Sequence, residues 1–182
     1  LGLAHFLEHM AFNGTASFEG NELVRYMESL GMRFGPDVNA YTSFGETVYK
    51  LDVPTEREDQ FETGLRIMRE WAAEMTLDPE EIEKERGVVI EEWRTGQGPE
   101  TRIRNKHLSV IFEGSRYAER LPIGEVAILR SFDRETLLSY YRDWYRPDLM
   151  SFIAVGDFDG ADVEEQIRRT FGDLALPGGG RI

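Results

Sequence analysis

The sequence predicts an α+β domain, a sandwich of helices packed against a largely antiparallel sheet. Three observations lead there. Apolar residues recur at helical spacing in several long segments, and segments 38–43 and 47–53 read as two short strands around a Phe44-Gly45-Glu46 turn. Segment 149–155, which follows Pro147, is a short apolar run and reads as a further strand.

The elements follow in order. Residues 3–10 are apolar around His5 and His9 and read as a helix. In 21–30, Leu23, Val24, Met27 and Leu30 fall on one helical face, and Gly31 follows as a C-cap. After the hairpin come helical segments at 56–74, 79–94, 100–112 and 134–145. The second opens on Asp78-Pro79, an N-cap followed by proline at the first helical position, and runs through Ile82, Val88, Val89 and Trp93. Residues 116–124 read as a loop. Tyr140, Tyr141, Trp144 and Tyr145 read as packing aromatics rather than a ligand cage. Gly156-Asp157 then turns the chain into a last amphipathic helix at 161–171. One domain is expected over 1–175, with 176–182, rich in proline and glycine, a linker toward another domain. Leu1-Gly2-Leu3 has neither an initiator methionine nor a signal peptide and reads as the start of an excised piece.

Composition sets outer limits. A chain of 182 residues with 41% hydrophobic content can bury one sizeable core. Lysine and arginine number 21 against 34 acidic residues, a formal charge of −13, which argues against nucleic acid because phosphate binding needs a basic footprint. No apolar run is long enough for a membrane span. Cysteine is absent, so disulfides and thiolate metal ligands are excluded.

The motif that carries chemistry is the H-x-x-E-H pentad from His5 to His9, with Glu8 in its fourth place. On a helix, positions i and i+4 share a face, so two imidazoles can reach one zinc ion while Glu8 stands beside the open coordination position. A carboxylate there can act as general base toward a zinc-activated water. A lone histidine on an apolar helix is more often a core residue. Two at this spacing around a glutamate, with only three histidines in the chain, point to a metal instead, since the same groups buried without one would be costly.

A third protein ligand must be Asp, Glu or His107, and Glu92 is the best candidate. Glu85 and Glu92 are two helical turns apart and share an azimuth, while Glu91 points about 100° away. Spacing alone leaves open that the glutamates of this helix form a solvated acidic face. His107 lies among Arg104, Lys106 and Leu108 and reads as a surface or structural residue.

Four stretches, HFLEHMAFNGT (5–15), NAYTS (39–43), ERGVVIEEW (85–93) and RPDLMSFIAVGDFD (146–159), together resemble the pitrilysin/insulinase family of inverted-zincin metallopeptidases, to which mitochondrial processing peptidase belongs. The longer GMRFGPDVNAYTS form (31–43) is most similar to the bacterial PqqL-type zinc proteases. The resemblance covers nearly the whole chain. It implies a LuxS/metallohydrolase-like fold of the mitochondrial processing peptidase type, lacking its first N-terminal strand. It implies one zinc ion held by His5, His9 and Glu92, Glu8 as catalytic base, and Glu85 supporting the site from behind the ligands. Glu92 lies 83 residues after His9, slightly more than in shorter members, and the loop at 32–37 accounts for the excess. Residues 116–124 resemble a Pro-Leu-Gly type turn of the family.

By the same resemblance, Asn39, Ala40, Tyr41 and Thr42 form a sheet edge that pairs with an extended peptide substrate. An exposed edge offers its main-chain groups to a peptide whatever the side chains, and an ordinary interior strand is the alternative. The implied function is hydrolysis of peptides or unfolded segments by a zinc metalloendopeptidase. The remaining domains of the parent protein would close the active-site chamber and supply an Arg and a Tyr, so the isolated fragment is expected to be inactive. The competing reading is a non-catalytic interaction or core-subunit domain on the same fold. Analogy with bacterial relatives favours the periplasm.

Overall fold

The first helix is the centre of the core. Phe6, Leu7, Met10 and Ala11 are at most 1% exposed, and they meet Leu23 and Met27, Ile67 and Trp71, Ile82 and Val89, and Leu129 and Leu137 from four directions in the chain. The computed structural model describes residues 1–56 and 58–175. Its elements, in chain order, are α1 (Leu3–Met10), α2 (Glu22–Ser29), β1 (Val38–Thr42), β2 (Thr47–Leu51), α3 (Glu58–Ala73), α4 (Pro79–Thr95), α5 (Pro99–Ile111), α6 (Val126–Ser131), α7 (Arg134–Trp144) and α8 (Gly160–Phe171). The architecture is α+β, as the sequence predicts. The expected linker, 176–182, lies outside the described residues.

Helix starts follow local chemistry. Asp78 caps α4 by accepting from the backbone N–H groups of Glu80 and Glu81, with Pro79 at the first helical position. Asp133 and Asp159 cap α7 and α8 in the same way. Each cap satisfies donors that the first helical turn leaves without partners.

The two strands pair antiparallel in a register that sets Val38 opposite Leu51 and Thr42 opposite Thr47. Side chains alternate along β1. Val38, Ala40 and Thr42 face inward, while Asn39 and Tyr41 are exposed. Tyr49 of β2 packs on Trp71 and its hydroxyl lies 2.6 Å from that of Tyr145. Tyr141 accepts from the backbone N–H of Met75 at 3.3 Å, so two of the late tyrosines are packing and anchoring groups.

One expected strand does not form. Pro147–Leu149 make a short 3₁₀ turn, and 151–155 carry no regular structure, with Ile153 82% and Val155 90% exposed. A strand exists only when a neighbour accepts its backbone bonds. Among the described residues the sheet is the β1–β2 pair alone. Two elements had no clear sequence signal. The 3₁₀ turn Arg116–Glu119 lies in the expected loop, and α6 is too short to show a full helical period.

The loop before α6 touches the start of α1. Gly2 (φ +89°) and Gly124 (φ +81°) meet backbone to backbone, and a Cβ on Gly124 would lie 2.4 Å from Gly2 Cα. Glycine at both positions permits the left-handed conformation and the contact together. Arg86 fastens α4 to the junction of α6 and α7, donating to the carbonyls of Leu129 and Phe132 and stacking 4.3 Å from the Phe132 ring centroid. Among the described residues no helix is long and apolar enough to cross a membrane.

Candidate metal centre and active site

Helix α1 presents His5 and His9 toward α4 and Glu8 toward β1, both of which pack against it. The Nε2 atoms of His5 and His9 are 3.3 Å apart, and Glu92 Oε2 lies 3.5 Å from the first and 3.4 Å from the second. Four ligands placed tetrahedrally about 2.0–2.2 Å from one ion stand about 3.3–3.6 Å from each other. Three donors therefore occupy three corners at the spacing a small tetrahedral cation needs. Among the described residues no fourth protein donor joins them. A closed structural site would have one.

The acidic residues of α4 divide as helical geometry requires. Glu92 turns into the group with its side chain 49% exposed, whereas Glu85, two turns earlier, is 14% exposed and meets His9 Nδ1 at 2.7 Å. Glu91 points away and pairs with Arg94 on the surface. Because an ionised carboxylate only accepts, Glu85 fixes the His9 proton on Nδ1 and leaves Nε2 with its lone pair toward the donor group. The other oxygen of Glu85 accepts from the side-chain amide of Asn13 at 2.6 Å. Among the described residues the buried Nδ1 of His5 has no hydrogen-bond partner, so none of them gives His5 such support.

Glu8 lies against the hairpin rather than α4. Its residue is 8% exposed, and its Oε2 accepts a short hydrogen bond from the Thr42 hydroxyl. Burial raises the pKa of this carboxyl, against the Thr42 bond and the neighbouring His9, which lower it. For His9, burial alone would lower the pKa, but the bond and charge of Glu85 with the charges of Glu92 and Glu8 outweigh it and raise the value. For His5, burial and the nearby His9 prevail over Glu92 and Glu85, and the pKa falls. A buried carboxylate with raised pKa beside three convergent donors can exchange a proton with a water at an ion held there.

The hairpin residues split between two faces. Asn39 folds its side chain onto the Ala40 N–H at 2.9 Å, and Tyr41 donates to Glu46 while Lys50 lies over its ring. Thr42 turns inward to Glu8. Among the described residues β1 pairs only with β2, apart from a single bridge between Phe34 and Val38 at its start, so its other edge at 39–42 carries no strand. His107 is exposed on α5 and is not among the convergent donors.

Asn13 was not singled out by the sequence pattern, and Thr42 was named only for the sheet edge, not for its contact with Glu8. Asn13 lies four residues after His9, so the same i, i+4 logic that pairs the histidines could have found it. The inward turn of Thr42 had no signal, because a strand's inner face is set by what packs beneath it.

Known proteins similar to this chain include probable zinc proteases. The model of the family described as Insulinase (Peptidase family M16) matches residues 1–118, and that of the Peptidase M16 inactive domain matches residues 131–179. The chain is 40% identical over 168 residues to the probable zinc protease PqqL of Haemophilus influenzae, covering 92% of this chain and 18% of that protein. It is 38% identical over 174 residues to its Escherichia coli counterpart, covering 96% and 19%. The crystal structure of the periplasmic protease PqqL from Escherichia coli superposes with a TM-score of 0.95 at 37% identity, covering 100% of this chain and 20% of that one. The chain thus spans about a fifth of the length of these relatives. With the pentad, the hairpin and Glu85 and Glu92 of α4 inside the span that the first model matches, the chain belongs to the insulinase family, peptidase family M16.

Proposed function

We propose that residues 1–175 form the zinc-bearing domain of a metalloendopeptidase that cleaves peptides or unfolded protein segments, and that 176–182 lead toward further domains. The observation that carries this reading is the triangle of His5 Nε2, His9 Nε2 and Glu92 Oε2, with sides of 3.3–3.5 Å, next to the buried carboxylate of Glu8. His5, His9 and Glu92 hold one ion, and Glu85 keeps His9 in the tautomer and orientation that ligation needs. When bound, zinc supplies Lewis-acid polarisation of a carbonyl and lowers the pKa of a water. Glu8 takes the proton of the attacking water and passes it to the leaving amine. The uncovered edge of β1, at Asn39, Ala40, Tyr41 and Thr42, holds the peptide extended through main-chain bonds, which gives affinity with loose sequence preference.

The chain's share of its relatives' length supports a chamber completed by other parts of the parent protein, so the domain alone should turn over peptides poorly even when loaded with zinc. The name of the Escherichia coli relative supports a periplasmic setting. The deciding experiment is Glu8→Gln in the intact parent protein. Zinc content should stay at the wild-type level while hydrolysis of a fluorogenic peptide falls by at least about 10²-fold. Retained hydrolysis would remove Glu8 from the base role, and lost zinc would make it a ligand.

A further inference from the structure

A general base must aim one oxygen at the proton it takes, yet the terminal torsion of a glutamate is broad and soft. Something has to hold the other oxygen. In this chain that group comes from the hairpin. The Thr42 hydroxyl has a single proton, and Glu8 Oε2, an acceptor, is within its reach. The Thr47 hydroxyl, which also bonds Tyr145, lies 3.1 Å from the Thr42 oxygen. The two threonines face each other in the β1–β2 ladder at its turn end, which is closed by the Ser43 N–H bond to the Glu46 carbonyl at 2.8 Å. The Glu8 carboxylate is thus held by a hydroxyl anchored in paired backbone rather than in a free side chain.

We propose that Thr42 is a positioning residue for Glu8, fixing the carboxylate so that its second oxygen faces the reacting water. The assignment rests on Glu8 being the base. It gives Thr42 two separate tasks. Its main chain belongs to the edge offered to the peptide, and its side chain holds the base on the inner face of the same strand. Register in the hairpin and aim of the base are thereby set by one residue.

The test uses the zinc-loaded parent protein with Thr42→Val, which keeps the shape and removes the hydroxyl, and Thr42→Ser, which keeps the hydroxyl and removes the methyl. Thr42→Val should lower kcat by about 10- to 100-fold, the scale of misdirected general-base catalysis, with KM within about twofold and zinc content unchanged. Thr42→Ser should recover kcat to within about threefold. An activity-free readout accompanies these: the carboxylate infrared band of Glu8, isolated as the difference between wild type and Glu8→Gln, should shift in Thr42→Val and stay in place in Thr42→Ser. An unmoved band in Thr42→Val, an unchanged kcat, a loss confined to KM, or equal losses in the Val and Ser variants would each overturn the role of Thr42. Activity surviving in Glu8→Gln would instead overturn the base assignment itself, and the infrared comparison would still decide whether Thr42 binds that carboxylate.

Discussion

Asn13 and Glu85 are 72 residues apart in the sequence, and the Asn13 side-chain amide donates to Glu85 Oε2 at 2.6 Å. Glu85 in turn meets His9 Nδ1 at 2.7 Å through its other oxygen, so an amide beyond the C-terminal end of α1 steadies an imidazole one turn before it by way of a second helix. Both oxygens of Glu85 are committed. Its orientation is therefore set before any ion arrives.

Asn13→Ala should weaken zinc binding by about 10-fold, the low end of the effect expected for a group that orients a ligand from one step away. Glu85→Gln, which removes the charge-assisted bond to His9, should cost up to about 100-fold. Competition against a chromophoric chelator measures both. Wild-type affinity in Asn13→Ala would show that Glu85 holds its position unaided.

Glu92→Gln should lose zinc almost completely, because an amide replaces the charged corner of the donor triangle. Glu91→Gln should change little, since Glu91 is engaged with Arg94 on the surface. Equal losses in the two variants would contradict the choice of Glu92 as ligand.

Glu70 ties α3 to the segment after α1. It is 2% exposed, accepts from the Ser17 N–H at 3.1 Å and lies 3.8 Å from Arg66. Burial pushes its pKa up, but the bond from Ser17 and the charge of Arg66 help to outweigh this and leave it below the ordinary value of 4.5. A carboxyl depressed in the folded state stabilises the fold above its unfolded pKa and loses that contribution as pH falls through the folded value. Glu70→Gln should therefore cost about 1–2 kcal/mol at neutral pH, and its deficit relative to wild type should shrink below about pH 4. Urea unfolding at pH 7 and pH 3.5 gives the comparison, and a deficit that did not change with pH would assign the loss to packing.

Two glycine substitutions should move stability in opposite directions. Gly124→Ala places a Cβ 2.4 Å from Gly2 Cα at a backbone φ of +81°, and neither backbone can yield cheaply, so a loss of about 2 kcal/mol or more is expected. Gly87→Ala adds a methyl inside α4 with nothing within 4 Å, and should stabilise by about 0.5–1 kcal/mol through helix propensity. Thermal melts of the two variants side by side would reveal the sign of each, and a stable Gly124→Ala would mean that the loop does not press on α1.

Local periodicity and end signals by themselves determined most of the elements: α4 from Asp78-Pro79, the hairpin around Gly45, and the long helices to within a few residues. They also put His5 and His9, at i, i+4, on one face of α1 and Glu85 and Glu92, at i, i+7, on one face of α4, while the choice of Glu92 as third donor came from the family resemblance. Helical geometry converts such spacings into shared faces without reference to the rest of the chain. The tertiary structure alone decided what depends on a distant partner. Residues 149–155 are as apolar as a strand should be, but no neighbouring strand accepts their backbone bonds among the described residues, and Ile153 and Val155 face solvent. The inward turn of Thr42 to Glu8 depends on where α1 lies beneath β1. The approach of Gly124 to Gly2 depends on a loop more than a hundred residues away in the chain. A sequence fixes the periodicity of its own segments through covalent geometry and dihedral preference, whereas contacts between segments are selected by packing of the whole core, and no local signal carries that information.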